Sequence, residues 1–163
     1  MRRILLPLAL LSCSKGGVDV AATVNPLYLI AEEIVEPELG VERIVPPGAN
    51  PHLYEPKPSD LAKASGAKLL VFGGELLEPW AAKVEGPLKV DAYEAGKGTC
   101  GDPHVWLDPE RAVLIAKAVA EAASRVWPSK RKVFQENFQK FKREVDSLDR
   151  WFSAELGKLQ DRR

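Results

Sequence analysis

This 163-residue chain has only two cysteines, two histidines and one methionine. Cys13 falls in a leader-like segment, which leaves Cys100 alone and no pair for a structural disulfide. Basic and acidic residues balance at 23 each, and no basic stripe offers a nucleic-acid surface. No apolar run reaches the roughly 18 residues that a membrane span needs. The chain also lacks a His-Glu-x-x-His helix, a third histidine, a nucleophile elbow and a phosphate-binding loop. A metallohydrolase built on the two histidines is therefore the poorest reading, and no enzymatic activity is expected. There are no internal repeats and no low-complexity segment.

What is present fits one domain with a sizeable core. A hydrophobic fraction of 45% and a charged fraction of 28% are those of an ordinary soluble protein. The first thirteen residues stand apart. Arg2 and Arg3 make a positive start, residues 4–11 are apolar except for Pro7, and Leu10-Leu11-Ser12-Cys13 closes the stretch. This pattern reads as a secretory signal. It resembles a bacterial lipobox, in which Cys13 becomes the lipidated first residue of the mature protein.

Beyond the leader, apolar β-branched runs alternate with helical spacing. Strands are expected at residues 18–24, 41–45, 67–72 and 88–92. Helices are expected at 27–36, 58–66 and 75–84. Asp108 and Pro109 have the chemistry of a helix cap and first helical residue, opening a helix to about Val126 that Pro128 breaks. A final helix is expected from about Ser129 to Leu159, with Phe134, Phe138, Phe141, Val145, Leu148, Phe152 and Leu159 on one stripe. Its thirty or so residues would span roughly 45 Å, long for a small domain. The stripe suits either packing along the whole length or a coiled-coil seam. The fold expected is α/β: a parallel four-stranded sheet flanked by helices on both faces, followed by the long C-terminal helix.

The two histidines occupy matched settings. His52 lies in Pro46-Pro47-Gly48-Ala49-Asn50-Pro51-His52-Leu53-Tyr54-Glu55-Pro56. His104 lies in Gly101-Asp102-Pro103-His104-Val105-Trp106-Leu107-Asp108-Pro109. A proline fixes the backbone before each imidazole. Both loops follow strands, where ligands of parallel sheets gather. Neutral imidazole is a common transition-metal ligand, so a shared metal site is the expectation. Cys100, four residues before His104, is a possible extra ligand, although a plain loop thiol is the simpler reading. Glu55 and Asp102 could orient the imidazoles from behind. Asp108 reads as a helix cap, Glu78 as a helix-start acid, and Tyr54, Trp80 and Trp106 as packing around the loops.

The run from Val45 to Asp60, Leu77-Glu78-Pro79-Trp80, and Asp102 to Pro109, in this order and spacing, resemble the zinc and manganese solute-binding proteins of bacterial ABC importers. The resemblance covers nearly all of residues 18–160. It implies two lobes joined by a long backbone helix, with a divalent metal held between them and delivered to an ABC permease. His52 and His104 match the family's two amino-lobe ligands, and residues 129–160 match the backbone helix. The family's second lobe supplies another histidine and a carboxylate, and this chain stops at Arg163. The organisation expected is thus a leader at 1–13, an amino-terminal metal-binding lobe at 14–127 and the backbone helix at 128–163, with no second lobe. The resemblance also implies a protein anchored through Cys13 on the outer face of the cell membrane or in the periplasm. The chain would bind zinc or manganese there. Alternatively, it would act as a partial lobe that associates with a second-lobe polypeptide or with itself. Unlike zinc receptors with a His- and acid-rich loop before the second motif, residues 94–100 hold one glutamate and no histidine.

Overall fold

The structure, a computed structural model, describes residues 18–98 and 101–158. The expected leader with Cys13, the possible ligand Cys100, and Leu159 lie outside the described residues. Four short strands, β1 (Val20–Ala22), β2 (Val41–Arg43), β3 (Leu69–Phe72) and β4 (Leu88–Asp91), form one parallel sheet in the order β2-β1-β3-β4. The expected α/β class and strand number are found. The strands are one to four residues shorter than their apolar runs. Ile44 and Val45 still donate to Ala22 O and Thr23 O, both at 2.9 Å, but Pro46 has no N–H with which to continue.

Alternation along the strands assigns the two faces. Val20, Ala22, Leu69 and Val71 join the larger core with α1 (Asn25–Val35), α5 (Pro109–Val126) and α6 (Arg131–Gly157). Ala21 and Leu70 point the other way, into a smaller core with Ala64 of α2 (Pro58–Gly66) and the half-buried Trp80 of α3 (Pro79–Ala82). α5 buries Ala112, Ala116, Ala120 and Ala123, whose small side chains let it lie close to α1 and α6. Asp108 caps α5, its Oδ1 accepting from Arg111 N at 3.2 Å.

Two helices differ from expectation. Residues 75–84 do not form one helix: a turn precedes α3, which covers only Pro79–Ala82. Pro79 has no N–H to donate and disfavours helical geometry at Glu78, so a helix starts afresh there, and Glu78 is drawn into the core instead of sitting at an exposed helix start. A short helix not foreseen, α4 (Ala92–Ala95), follows β4, capped by Asp91 Oδ1 accepting from Glu94 N at 3.1 Å.

The long helix α6 starts at Arg131, after a 3-10 turn at Pro128–Lys130, and measures about 40 Å. Its first half is anchored. Phe134 and Phe138 are buried, Phe141 is half-buried, and Asn137 Nδ2 donates to Ile34 O at 2.9 Å and Glu36 O at 2.8 Å, capping the end of α1. Lys130 pairs with Glu38, and Lys140 lies 3.6 Å from Glu33. From Leu148 onward the stripe is uncovered: Leu148, Trp151, Phe152 and Leu156 are 53%, 56%, 50% and 55% exposed. Among the described residues, no helix is long and apolar enough to cross a membrane.

Candidate metal site

The loop carrying His52 leaves the sheet at Val45. Pro46 and Pro47 follow, and Gly48 turns the chain at φ +81°, a conformation that favours glycine. Ala49 N then donates to Pro46 O at 3.2 Å. Asn50 Oδ1 accepts from His52 N at 3.0 Å and opens a 3-10 turn over Pro51–Leu53. The far side of the loop is tied to α2. Asp60 Oδ2 accepts from Tyr54 Oη at 2.6 Å and from Lys57 N at 2.9 Å. The Tyr54 hydroxyl and the Lys57 N–H hold the Asp60 carboxyl below its usual range, and the Tyr54 phenol is pushed up to about 12 by the bond to that carboxylate.

His104 is held by the same device with one addition. Asp102 Oδ1 accepts from His104 N at 2.9 Å and also lies 2.8 Å from His104 Nδ1. These two bonds lower the Asp102 pKa, the backbone N–H having the larger effect. Both histidines therefore follow an Asx-Pro pair whose Asx side chain accepts the histidine N–H two residues on. The symmetry is legible in the motifs, and the structure supplies its mechanism. The Asp102 contact assigns the Nδ1–H tautomer to neutral His104, so its Nε2 carries the free lone pair.

The two loops bring the rings together. His52 Nε2 and His104 Nε2 lie 3.2 Å apart, with ring centroids at 5.1 Å and planes tilted by 53°. Trp106 packs edge-on against His104 at 5.5 Å. Zn–N bonds of about 2.05 Å would subtend about 100° across that 3.2 Å gap, close to the tetrahedral angle. A right-angled pair with slightly longer bonds spans a similar distance, so the spacing does not select a metal. A cleft of about 370 Å³ opens beside His104, lined by Asp102, Val105, Leu107, Asp108 and Arg111. Among the described residues, no group of three or more His, Cys, Asp or Glu side chains converges as a metal cage. Two large apolar side chains next to the histidine motifs are open to solvent: Leu53 is 79% and Leu107 77% exposed.

Glu55 is exposed and makes no hydrogen bond to either imidazole. Tyr54 and Trp106 are half-buried against the larger core, and Trp80 against the smaller one. The residue that sequence reasoning misplaced is Glu78. It is fully buried, and its Oε2 accepts from Thr23 Oγ1 at 2.6 Å and from Gly73 N at 2.7 Å. Gly73 lies in the same turn, but Thr23 reaches it only because β1 and β3 are neighbours in the sheet, a pairing that no local sequence signal carries.

The contacts of Asp102 and Glu78 set two expectations in solution. Asp102→Asn keeps an acceptor for the His104 N–H but removes the charge behind the ring. It should weaken metal binding about 10–100-fold with the fold intact, as calorimetric titration would show. Burial raises the Glu78 pKa, against the opposing bonds from Thr23 and Gly73. A buried acid of this kind contributes its full stability below the unfolded-state pKa and loses it as pH climbs through the raised value. Glu78→Gln cannot ionise. Its stability relative to wild type should therefore rise between about pH 4 and about pH 8 in urea denaturation, and an equal gap at both would mean that Glu78 ionises freely.

Comparison with known proteins identifies the family. Residues 20–163 match the profile of the family described as ZnuA, zinc-uptake complex component A, periplasmic. The chain belongs to the ZnuA family. This is a family of metal-uptake binding components, not of enzymes. The chain is 30% identical to the manganese ABC transporter substrate-binding lipoprotein PsaA of Streptococcus mitis over 171 residues, which cover 88% of this chain and 55% of that protein. It is 24% identical to the zinc-binding lipoprotein AdcA of Streptococcus pneumoniae, covering 97% of this chain and 38% of AdcA. The crystal structure of the metal-dependent lipoprotein YcdH of Bacillus subtilis superposes with a TM-score of 0.82 at 26% identity, over 88% of this chain and 57% of that one. The chain thus spans between about two-fifths and three-fifths of the length of these ZnuA-family relatives.

Proposed function

We propose that this chain binds a divalent transition metal, zinc or manganese, through His52 and His104, outside the cell membrane, and presents it to the permease of an ABC importer. The observation that carries the reading is the approach of the two Nε2 atoms to 3.2 Å, from two loops 52 residues apart in sequence. The metal is cargo, and the two imidazoles fill half of a tetrahedral sphere. Asp102 orients one of them. The relatives named for zinc and for manganese support both metals equally. Metal titration of the full chain, alongside its histidine variants, tests the reading.

A second reading concerns how the sphere is completed. The open half of the site, the exposed Leu53 and Leu107 and the uncovered stripe from Leu148 to Leu156 all favour association. The partner would be a second-lobe polypeptide or another copy of this chain. Four large apolar side chains on one helix end can leave a patch of several hundred Å², large for a soluble monomer.

Attachment to the membrane would run through Cys13. Cys13→Ser should leave the protein unlipidated and released, and mass spectrometry of the wild-type amino terminus checks the origin of that anchor. An intact Met1 without lipid would rule this route out. One acyl chain gives only marginal attachment, and stable anchoring needs more than one.

A further inference from the structure

The sheet order places a topological switch point between β1 and β3, where parallel sheets open a crevice at their carboxyl ends. Here a buried side chain bridges that point. Glu78 Oε2 accepts from Thr23 Oγ1, just past β1, and from Gly73 N, just past β3. Its other oxygen, Oε1, has no partner among the described residues. A half-satisfied buried carboxylate is costly, and an apolar side chain at the same place would avoid the cost.

Each donor is linked by contacts to one histidine loop. Thr23 O accepts from Val45 N at 2.9 Å, the last sheet-like bond before the Pro46–His52 segment. On the other side, Gly74 has φ +99°, and a Cβ there would lie 2.7 Å from Tyr93 Cβ. Gly98 packs so closely on the Tyr93 ring that a Cβ would sit 2.2 Å from Cε2. A Cβ on Gly96 would lie 3.2 Å from Val105 Cγ2, the buried residue directly after His104. Close-packed contacts therefore run from the Gly73–Gly74 turn to His104. The backbone of Glu78 belongs to the same turn, its N–H donating to Gly74 O at 2.9 Å.

We propose that Glu78 is a positioning residue: by holding Thr23 and Gly73 on one oxygen it sets the relative placement of the His52 and His104 loops, and so the bite of the imidazole pair. This rests on the reading that the pair binds metal. Two-point chelation is sensitive to displacements of about 0.5 Å, so losing the clamp costs affinity without removing a ligand. Glutamine keeps a carbonyl oxygen that can accept both donors, whereas alanine keeps none. Thr23→Val removes one donor at nearly constant volume.

The test is zinc titration of the full chain against a chromophoric chelator, with thermal unfolding of each variant. Glu78→Gln should bind within about threefold of wild type, while Glu78→Ala and Thr23→Val, still folded, should lose about tenfold. Should Glu78→Ala fail to fold, Thr23→Val carries the comparison. Folded Glu78→Ala or Thr23→Val with wild-type affinity would overturn the positioning role. So would Glu78→Gln losing as much as Glu78→Ala, since that would make the charge the active element. A wild type that binds no metal would overturn the metal reading itself, which is a different result from a binding wild type with indifferent variants.

Discussion

Replacing either His52 or His104 by alanine should abolish measurable metal binding while leaving the fold intact. With two imidazoles supplied by the chain, removal of one ends chelation, and an affinity loss of about a hundredfold or more, roughly 2.7 kcal/mol, is expected. Both side chains lie on loops, His52 exposed and His104 half-buried, and neither joins the core, so their loss leaves no cavity. Isothermal titration with zinc and manganese, paired with circular dichroism, gives both readouts. The wild type should bind weakly and follow the Irving–Williams order, because an open sphere imposes no selective geometry. Sub-nanomolar, manganese-selective binding to a monomer would contradict this, as would a single histidine variant that retains wild-type affinity.

The second large effect belongs to the end of α6. Trp151 and Phe152 are half exposed and touch edge to face, with ring centroids 5.0 Å apart. Covering a side chain of this size is worth about 1.5–3 kcal/mol before ordering costs. We expect the wild type to self-associate, or to capture a second-lobe polypeptide, through this stripe. Trp151→Asp/Phe152→Asp should be monomeric in analytical ultracentrifugation, with helix content close to wild type because the anchored half of α6 is untouched. A wild type that stays monomeric, with an ordered α6 and no partner, would remove the association reading.

The exposed half of α6 also shows why pattern and packing are different information. The apolar steps of four and three residues fix a helix and its stripe from Phe134 to Phe152 whatever lies against them. They say nothing about where the covering ends. The contacts with α1 and α5 end it: Phe134 and Phe138 are buried, Val145 is half-buried, and Leu148 is not covered.

The same division runs through the site. Strand and helix alternation, the Asp108-Pro109 helix start and the matched loops around His52 and His104 are local signals, and the sequence alone determined them. They follow from side-chain periodicity, from proline's missing N–H and from the capping chemistry of short polar residues. The family resemblance was legible for the same reason, because its motifs are contiguous. What the tertiary structure decided depends on residues distant in sequence. Glu78, beside a proline and before a short helix, has the local signature of an exposed dipole acid, and only the pairing of β1 with β3 brings Thr23, 55 residues away, to its carboxylate. The 3.2 Å between the two imidazoles is likewise a property of the sheet order. Local chemistry proposes which side chains can act, and the long-range strand pairing, which no local pattern encodes, sets which of them meet.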